Sequence, residues 1–240
     1  MSPAAGVLGR FLEISIHAPD VPASLDFYRR LGLVEAVTGD IWDHAYGVAT
    51  DGQVALGLHA FEFPSPALTW VCPGIPEAAA TLTAADVELA FLKTGEERFN
   101  ELGFTDPDGQ MVTLLEARTY SPPPGRPPPP AAGFFRELRY PVRVVAETTA
   151  FWEALGFVAT GDDPRQASLT GDGLAILGYE SRRRDAASLA FEAVDLAEAG
   201  RRLEARQLSA ASVTDPVSGA PALSLTAPEG TPVTILGLAD

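Results

Sequence analysis

One cysteine, three histidines and 17 basic residues among 240 positions leave several chemistries short of material. Cys72 has no partner for an intrachain disulfide, which fits a reducing cytoplasm. Set inside "ALTWVC", it reads as a small core residue. The basic residues face 32 acidic ones, for a net charge of −15 and a pI near 4.5. Nucleic-acid phosphates and anionic membrane surfaces both require a surplus of positive charge, so neither is expected as a partner. No apolar run approaches the ~18 residues of a membrane helix. The stretch "MSPAAGVLGRFLE" lacks the basic start and apolar core of a secretion signal. Also missing are a glycine-rich phosphate loop, a Cys-x-x-Cys pair and a Ser-His-Asp ordering. These exclusions fit a cytoplasmic protein, with a homodimer left open.

Proline is abundant and concentrated. "SPPPGRPPPPAAG", residues 121–133, cannot donate ladder hydrogen bonds and favours an extended, semi-rigid connection. It divides the chain into a first domain at 8–120 and a second at 134–240. The two halves resemble each other. "SLDFYRRLGLVEAVTGD" (24–40) returns as "TTAFWEALGFVATGDD" (148–163), and "DPDGQMVTLLE" (106–116) returns as "APEGTPVTILG" (227–237). The repeat is therefore a whole domain. If the halves fold separately, cleavage in the linker should release them, unless they share a large interface.

A smaller unit recurs inside each half. "FLEISIHAP" alternates with period two, placing Leu12, Ile14 and Ile16 on one face and Glu13, Ser15 and His17 on the other. "DVPASLDFYRRLG" reads as a helix with Asp20 as N-cap, Pro22 in the first turn and Gly32 at its end. Three strands follow, and the strand, helix, three-strand order occurs four times. In "DPDG", Pro107 pre-sets a turn dihedral and Asp-Gly suits positive φ, which predicts a hairpin.

That order, together with "HAPDVPASLDFYRRLGL" and "FTDPDGQMVTLLE", resembles the vicinal oxygen chelate superfamily. This is the glyoxalase, bleomycin-resistance and extradiol-dioxygenase group. The resemblance implies an α+β fold in which four βαβββ modules form two cup-shaped, eight-stranded domains. It also implies metal slots on particular strands. Transferred by motif spacing, those slots fall on Glu13, Leu56, Ala67 and Thr113 in half one. In half two they fall on Glu137, Ile176 or Leu177, Ser188 and Thr234. Each half keeps one carboxylate, and a divalent ion needs several lone-pair donors. The expectation is a metal-free protein that binds a small molecule in the first cup. The alternative is a divalent-metal-dependent lyase, isomerase or dioxygenase with an unusual ligand set around Glu13.

The candidate site residues are Glu13, Ser15, His17, His44, Tyr46, His59, Trp70, Thr113 and Glu137. Glu13 is also a candidate general base, since desolvation would raise a carboxylate toward a useful pKa. Glu13 and His17 share a strand face but lie roughly 13 Å apart at ~3.3 Å per residue, too far to chelate one ion together. "DIWDHAYGVAT" offers Trp42, His44 and Tyr46 at period two. In half two, Arg139 follows Glu137 by two residues and is placed to form an ion pair with it. All three histidines lie in the first module, so the richer mixture of polar and aromatic groups belongs to half one.

Overall fold

A computed structural model describes residues 6–37, 43–95, 99–116, 130–182 and 185–238. Half one runs β1 (Arg10–His17), α1 (Val21–Leu31), β2 (Val34–Ala36), β3 (Tyr46–Thr50) and β4 (Ala55–His59). It continues with β5 (Ala67–Cys72), α2 (Ile75–Ala84), β6 (Leu89–Lys93), β7 (Glu101–Thr105) and β8 (Met111–Glu116). Half two runs β9 (Phe134–Val142), α3 (Val145–Ala154), β10 (Val158–Ala159), β11 (Gln166–Gly171) and β12 (Leu174–Glu180). It closes with β13 (Ser188–Ala193), α4 (Leu196–Ala205), β14 (Ala211–Thr214), β15 (Pro221–Thr226) and β16 (Pro232–Gly237). The fourfold strand, helix, three-strand order is as expected. Each half contributes one eight-stranded sheet, β2-β3-β4-β1-β5-β8-β7-β6 and β10-β11-β12-β9-β13-β16-β15-β14. Most of the proline segment and Trp42 lie outside the described residues. Among the described residues no helix is long and apolar enough to cross a membrane.

Local chemistry sets the ends of the elements. The Asp20 carboxylate accepts the Ala23 amide at 3.1 Å and caps α1. Gly32 ends it at φ 111°, and a Cβ there would meet the Ala131 backbone nitrogen at 2.3 Å. Only glycine supplies both the dihedral and the space. The helix buries Val21, Ser24, Phe27, Tyr28 and Leu31.

The chain divides into two compact units, and each takes a module from either half. One comprises residues up to Ser15, Pro64–Pro122 and Pro141–Arg184. The other comprises Ile16–Phe63, Pro123–Tyr140 and Asp185–Asp240. In the first unit the "DPDG" hairpin meets α3. Asp106 Oδ1 accepts the Asp108 and Gln110 amides at 2.9 and 2.8 Å, closing the turn. Asp106 Oδ2 takes the Trp152 indole N–H at 3.3 Å, and Asp108 Oδ2 takes the Thr148 hydroxyl at 2.6 Å. Trp152 is fully buried, with its ring 4.8 Å from Phe157 and 6.3 Å from Trp70.

The second unit repeats the device with different residues. Glu229, in the hairpin that corresponds to "DPDG", accepts the Ser24 and Tyr28 hydroxyls from α1, both at 2.7 Å. Burial, and next the Glu229 charge, push the Tyr28 phenol well above its ordinary pKa of 10.0. In both units an acidic hairpin of one half is bonded to the first helix of the other. The halves are thus joined through buried side chains, a shared interface of the kind that would keep them together after cleavage.

Candidate ligand site

The floor of each sheet is set by a β-bulge. On β1, Phe11 faces Trp70 and Glu13 faces Thr69, so two residues of β1 span one step of β5. Leu12 is the extra residue. In a regular strand, Phe11 and Glu13, two positions apart, would point the same way. With the bulge, the Phe11 ring joins the aromatic core, 5.1 Å edge-on to Trp70, while Glu13 is aimed at the opposite face. The simple alternation expected for Leu12 therefore fails at that position, because Phe11 takes the core place. Half two carries the same bulge, with Phe135 facing Phe191 and Glu137 facing Ala190.

In half one the bulge creates a row of polar groups across adjacent strands. Glu13 pairs with Thr69, and Thr69 with Thr113. Ser15 Oγ donates to Glu13 Oε1 at 2.8 Å and is 2.7 Å from Thr69 Oγ1. Glu13 is 2% exposed. Around the row the same face carries Val71 and Leu115, which are register partners, and the Phe91 ring, which lies where a Cβ on Gly103 would be; Arg10 faces Val71, and the Lys93–Glu101 pair lies beside Phe91 and Leu115. Thr69 was not anticipated, because its hydroxyl matters only through the register of β5 against β1.

The histidines form a separate group in the other unit. His44 Nε2 is 3.0 Å from His59 Nδ1, and His44 Nδ1 is 3.0 Å from Asp43 Oδ1. The Tyr46 ring lies 4.6 Å from that of His59, and Phe63 is flanked by His59 at 5.8 Å and His17 at 6.3 Å. His17, His44, Tyr46 and His59 are thus neighbours, as a common site requires. Trp70 is not with them. It is fully buried against Phe11, Trp152 and Phe157, on the face opposite Thr69.

At the position of the polar row, half two contains an ion-pair network. Arg139 Nε donates to Glu137 Oε1 at 2.7 Å, and its Nη1 reaches both Asp215 oxygens at 3.1 Å. Arg139 and Asp215 are 4% and 2% exposed. Burial pushes the Asp215 carboxyl up, but the Ser218 hydroxyl and amide and the Arg139 charge outweigh it, so the pKa lies below the usual value. The Glu137–Arg139 pair was legible from spacing. Asp215 was not, since "TDPVSG" reads as a turn.

The donors do not fit the superfamily's metal. Beside Glu13, the slots at Leu56 and Ala67 carry no lone-pair side-chain atom, and Thr113 offers a neutral hydroxyl. Among the described residues, no three His, Cys, Asp or Glu side chains converge on a point suited to an ion.

No family model matches the chain, and no curated protein sequence matches it. Solved structures do. A catechol 2,3-dioxygenase aligns with TM-score 0.61 at 14% identity, over 97% of this chain and 88% of its own. The 2,3-dioxygenase LapB from Pseudomonas sp. KL28 gives 0.62 at 15%, over 96% and 92%. A homoprotocatechuate 2,3-dioxygenase from Brevibacterium fuscum gives 0.65 at 16%, over 100% and 73%. At such identities the likeness is one of fold.

Proposed function

Taking the two-domain vicinal oxygen chelate fold of the extradiol dioxygenases as premise, we propose that this protein binds a small molecule without a divalent metal. Its polar anchor is the Glu13–Ser15–Thr69 row of half one. The observation that carries this reading is Glu13 itself. Glu13 is 2% exposed, and a carboxylate so buried is held by specific polar contacts. Here a bulge directs it to the face of the row and the Ser15 hydroxyl fixes its orientation. Apolar walls around a few convergent polar groups are the usual make-up of a ligand site.

The test is a thermal-shift screen with and without added divalent ions, followed by titration of the best hit. Glu13→Gln keeps the shape and removes the charge, so it should weaken that hit by ~1–3 kcal/mol. Unchanged binding in Glu13→Gln, with loss in Glu137→Gln, would move the site to half two.

The second reading is a divalent-metal-dependent lyase, isomerase or dioxygenase. It draws support from the dioxygenase names of the structural neighbours and from the 3.0 Å approach of two imidazoles. The donor set at the superfamily slots counts against it. Elemental analysis separates the two: less than one Zn, Ni, Mn or Fe per chain after dialysis supports the first, and a stoichiometric metal supports the second.

A further inference from the structure

We infer that Asp172, in the β11–β12 hairpin of half two, is a positioning residue for the Glu13 row of half one, so that the row is completed by a residue from the other half. The inference rests on the reading of that row as a ligand anchor and names what holds it in place.

The bulge that aims Glu13 leaves a backbone donor to be satisfied. Where two residues of β1 span one step of β5 the ladder is interrupted, and a buried amide there needs an acceptor from elsewhere. Phe11, just before the extra Leu12, is buried. Its amide donates to Asp172 Oδ2, 161 positions away. Half two answers the same need in the same way. Its extra residue is Arg136, and the amide of the preceding Phe135 donates to Asp51 Oδ2 at 2.5 Å. Asp51 lies in the β3–β4 hairpin, the counterpart of β11–β12, and Asp-Gly occurs in both turns. Each half therefore lends a hairpin aspartate to the bulge of the other. Recurrence among different neighbours ties the bond to the bulge rather than to local packing.

The two aspartates differ in what else they do. Asp51 is buried, and its Oδ1 also accepts the Gln53 and Val54 amides at 2.8 and 3.0 Å, closing its own turn. Asp172 is exposed and stands at φ 46°, a dihedral that glycine adopts freely and asparagine tolerates. Its side chain can thus be removed or neutralised with the turn kept. The stretch it anchors, Phe11 to Glu13, sets both the ring that meets Trp70 and the carboxylate that accepts the Ser15 hydroxyl.

Nuclear magnetic resonance on the full chain, labelled with carbon-13 in glutamate and nitrogen-15 throughout, tests this without any ligand. Glu13→Gln and Glu137→Gln assign the two carboxyl signals. Asp172→Gly should speed exchange of the Phe11 amide roughly tenfold or more, as loss of a bond to a carboxylate implies. It should also displace the Glu13 carboxyl signal at constant pH and leave that of Glu137 in place. Asp51→Ala should do the converse, at Phe135 and Glu137. Asp172→Asn keeps an acceptor without the charge and should return the Glu13 signal to its parent position. Should Asp172→Gly not fold by circular dichroism, the same signals are read in Asp172→Ala. A Glu13 signal that stays put when the Asp172 side chain is removed overturns the inference, whatever happens to stability. So does an equal displacement in Asp172→Asn, which would reflect lost charge rather than lost position. Because no ligand enters, the result is separate from the thermal-shift screen: a Glu13-dependent hit beside an unmoved Glu13 signal keeps the ligand reading and sinks only the positioning role.

Discussion

Replacing Arg139 by methionine removes one guanidinium and leaves the bulk of the side chain. The structure shows what is lost: one bond to Glu137 at 2.7 Å and two to Asp215 at 3.1 Å, from a residue 4% exposed. Two carboxylates then remain in a buried site. Breaking a buried pair by deleting one partner costs about 3–5 kcal/mol, because the remaining charge is uncompensated. The Ser218 hydroxyl and amide stay on Asp215, and Arg136 stays 3.7 Å from Glu137, so about 3 kcal/mol is the expected end of that range. For a chain of this size, that lowers the apparent melting temperature by roughly 6–12 °C.

The pH dependence gives a second readout. Asp215 has its pKa lowered in the folded protein. The stability it contributes is thus present above the ordinary carboxylate range and lost as pH falls through the folded value. In Arg139→Met the Asp215 carboxyl loses the charge that holds it down and titrates higher, so the deficit against the parent should be largest near neutrality and shrink toward about pH 4–5. Urea unfolding followed by circular dichroism at both pH values measures it. A deficit under ~1 kcal/mol at neutral pH, or one equal at the two pH values, would refute the buried-network account.

Three more outcomes follow from the packing. Tyr28→Phe leaves a Glu229 oxygen without its hydroxyl donor and should cost ~1–3 kcal/mol at pH 7. Because the folded Tyr28 pKa is raised, the parent should lose stability as pH climbs above about 10, and the variant should show a flatter alkaline limb in the same unfolding assay. Trp152→Ala empties a fully buried site among Trp70, Phe151 and Phe157 and should cost about 3–5 kcal/mol by denaturant titration. Cleavage at a protease site inserted in the proline segment should leave the halves co-eluting in size-exclusion chromatography, because each acidic hairpin is bonded to the other half's helix. Separation into two folded halves would contradict that docking.

Much of the architecture was legible before any coordinates. The four modules, the Asp20 cap, the Gly32 stop and the Asp106–Gly109 turn depend on residues only a few positions apart, and local rules reach that far. The poverty of metal donors was equally plain, since alanine, leucine and isoleucine lack a donor atom wherever the fold puts them. Tertiary structure decided the rest. Leu12 becomes a bulge only because Phe11 gains a place beside Trp70, and that gain moves Glu13 to the other face. Trp70 fell to the core for the same reason, although its strand alone reads as two-sided. Asp215 meets Arg139 across 76 positions, and Glu229 meets Tyr28 across 201. Spacing cannot reveal such partners: they are fixed by strand register and by the cost of leaving a buried charge or hydroxyl unpaired, which only the assembled sheets and helices impose.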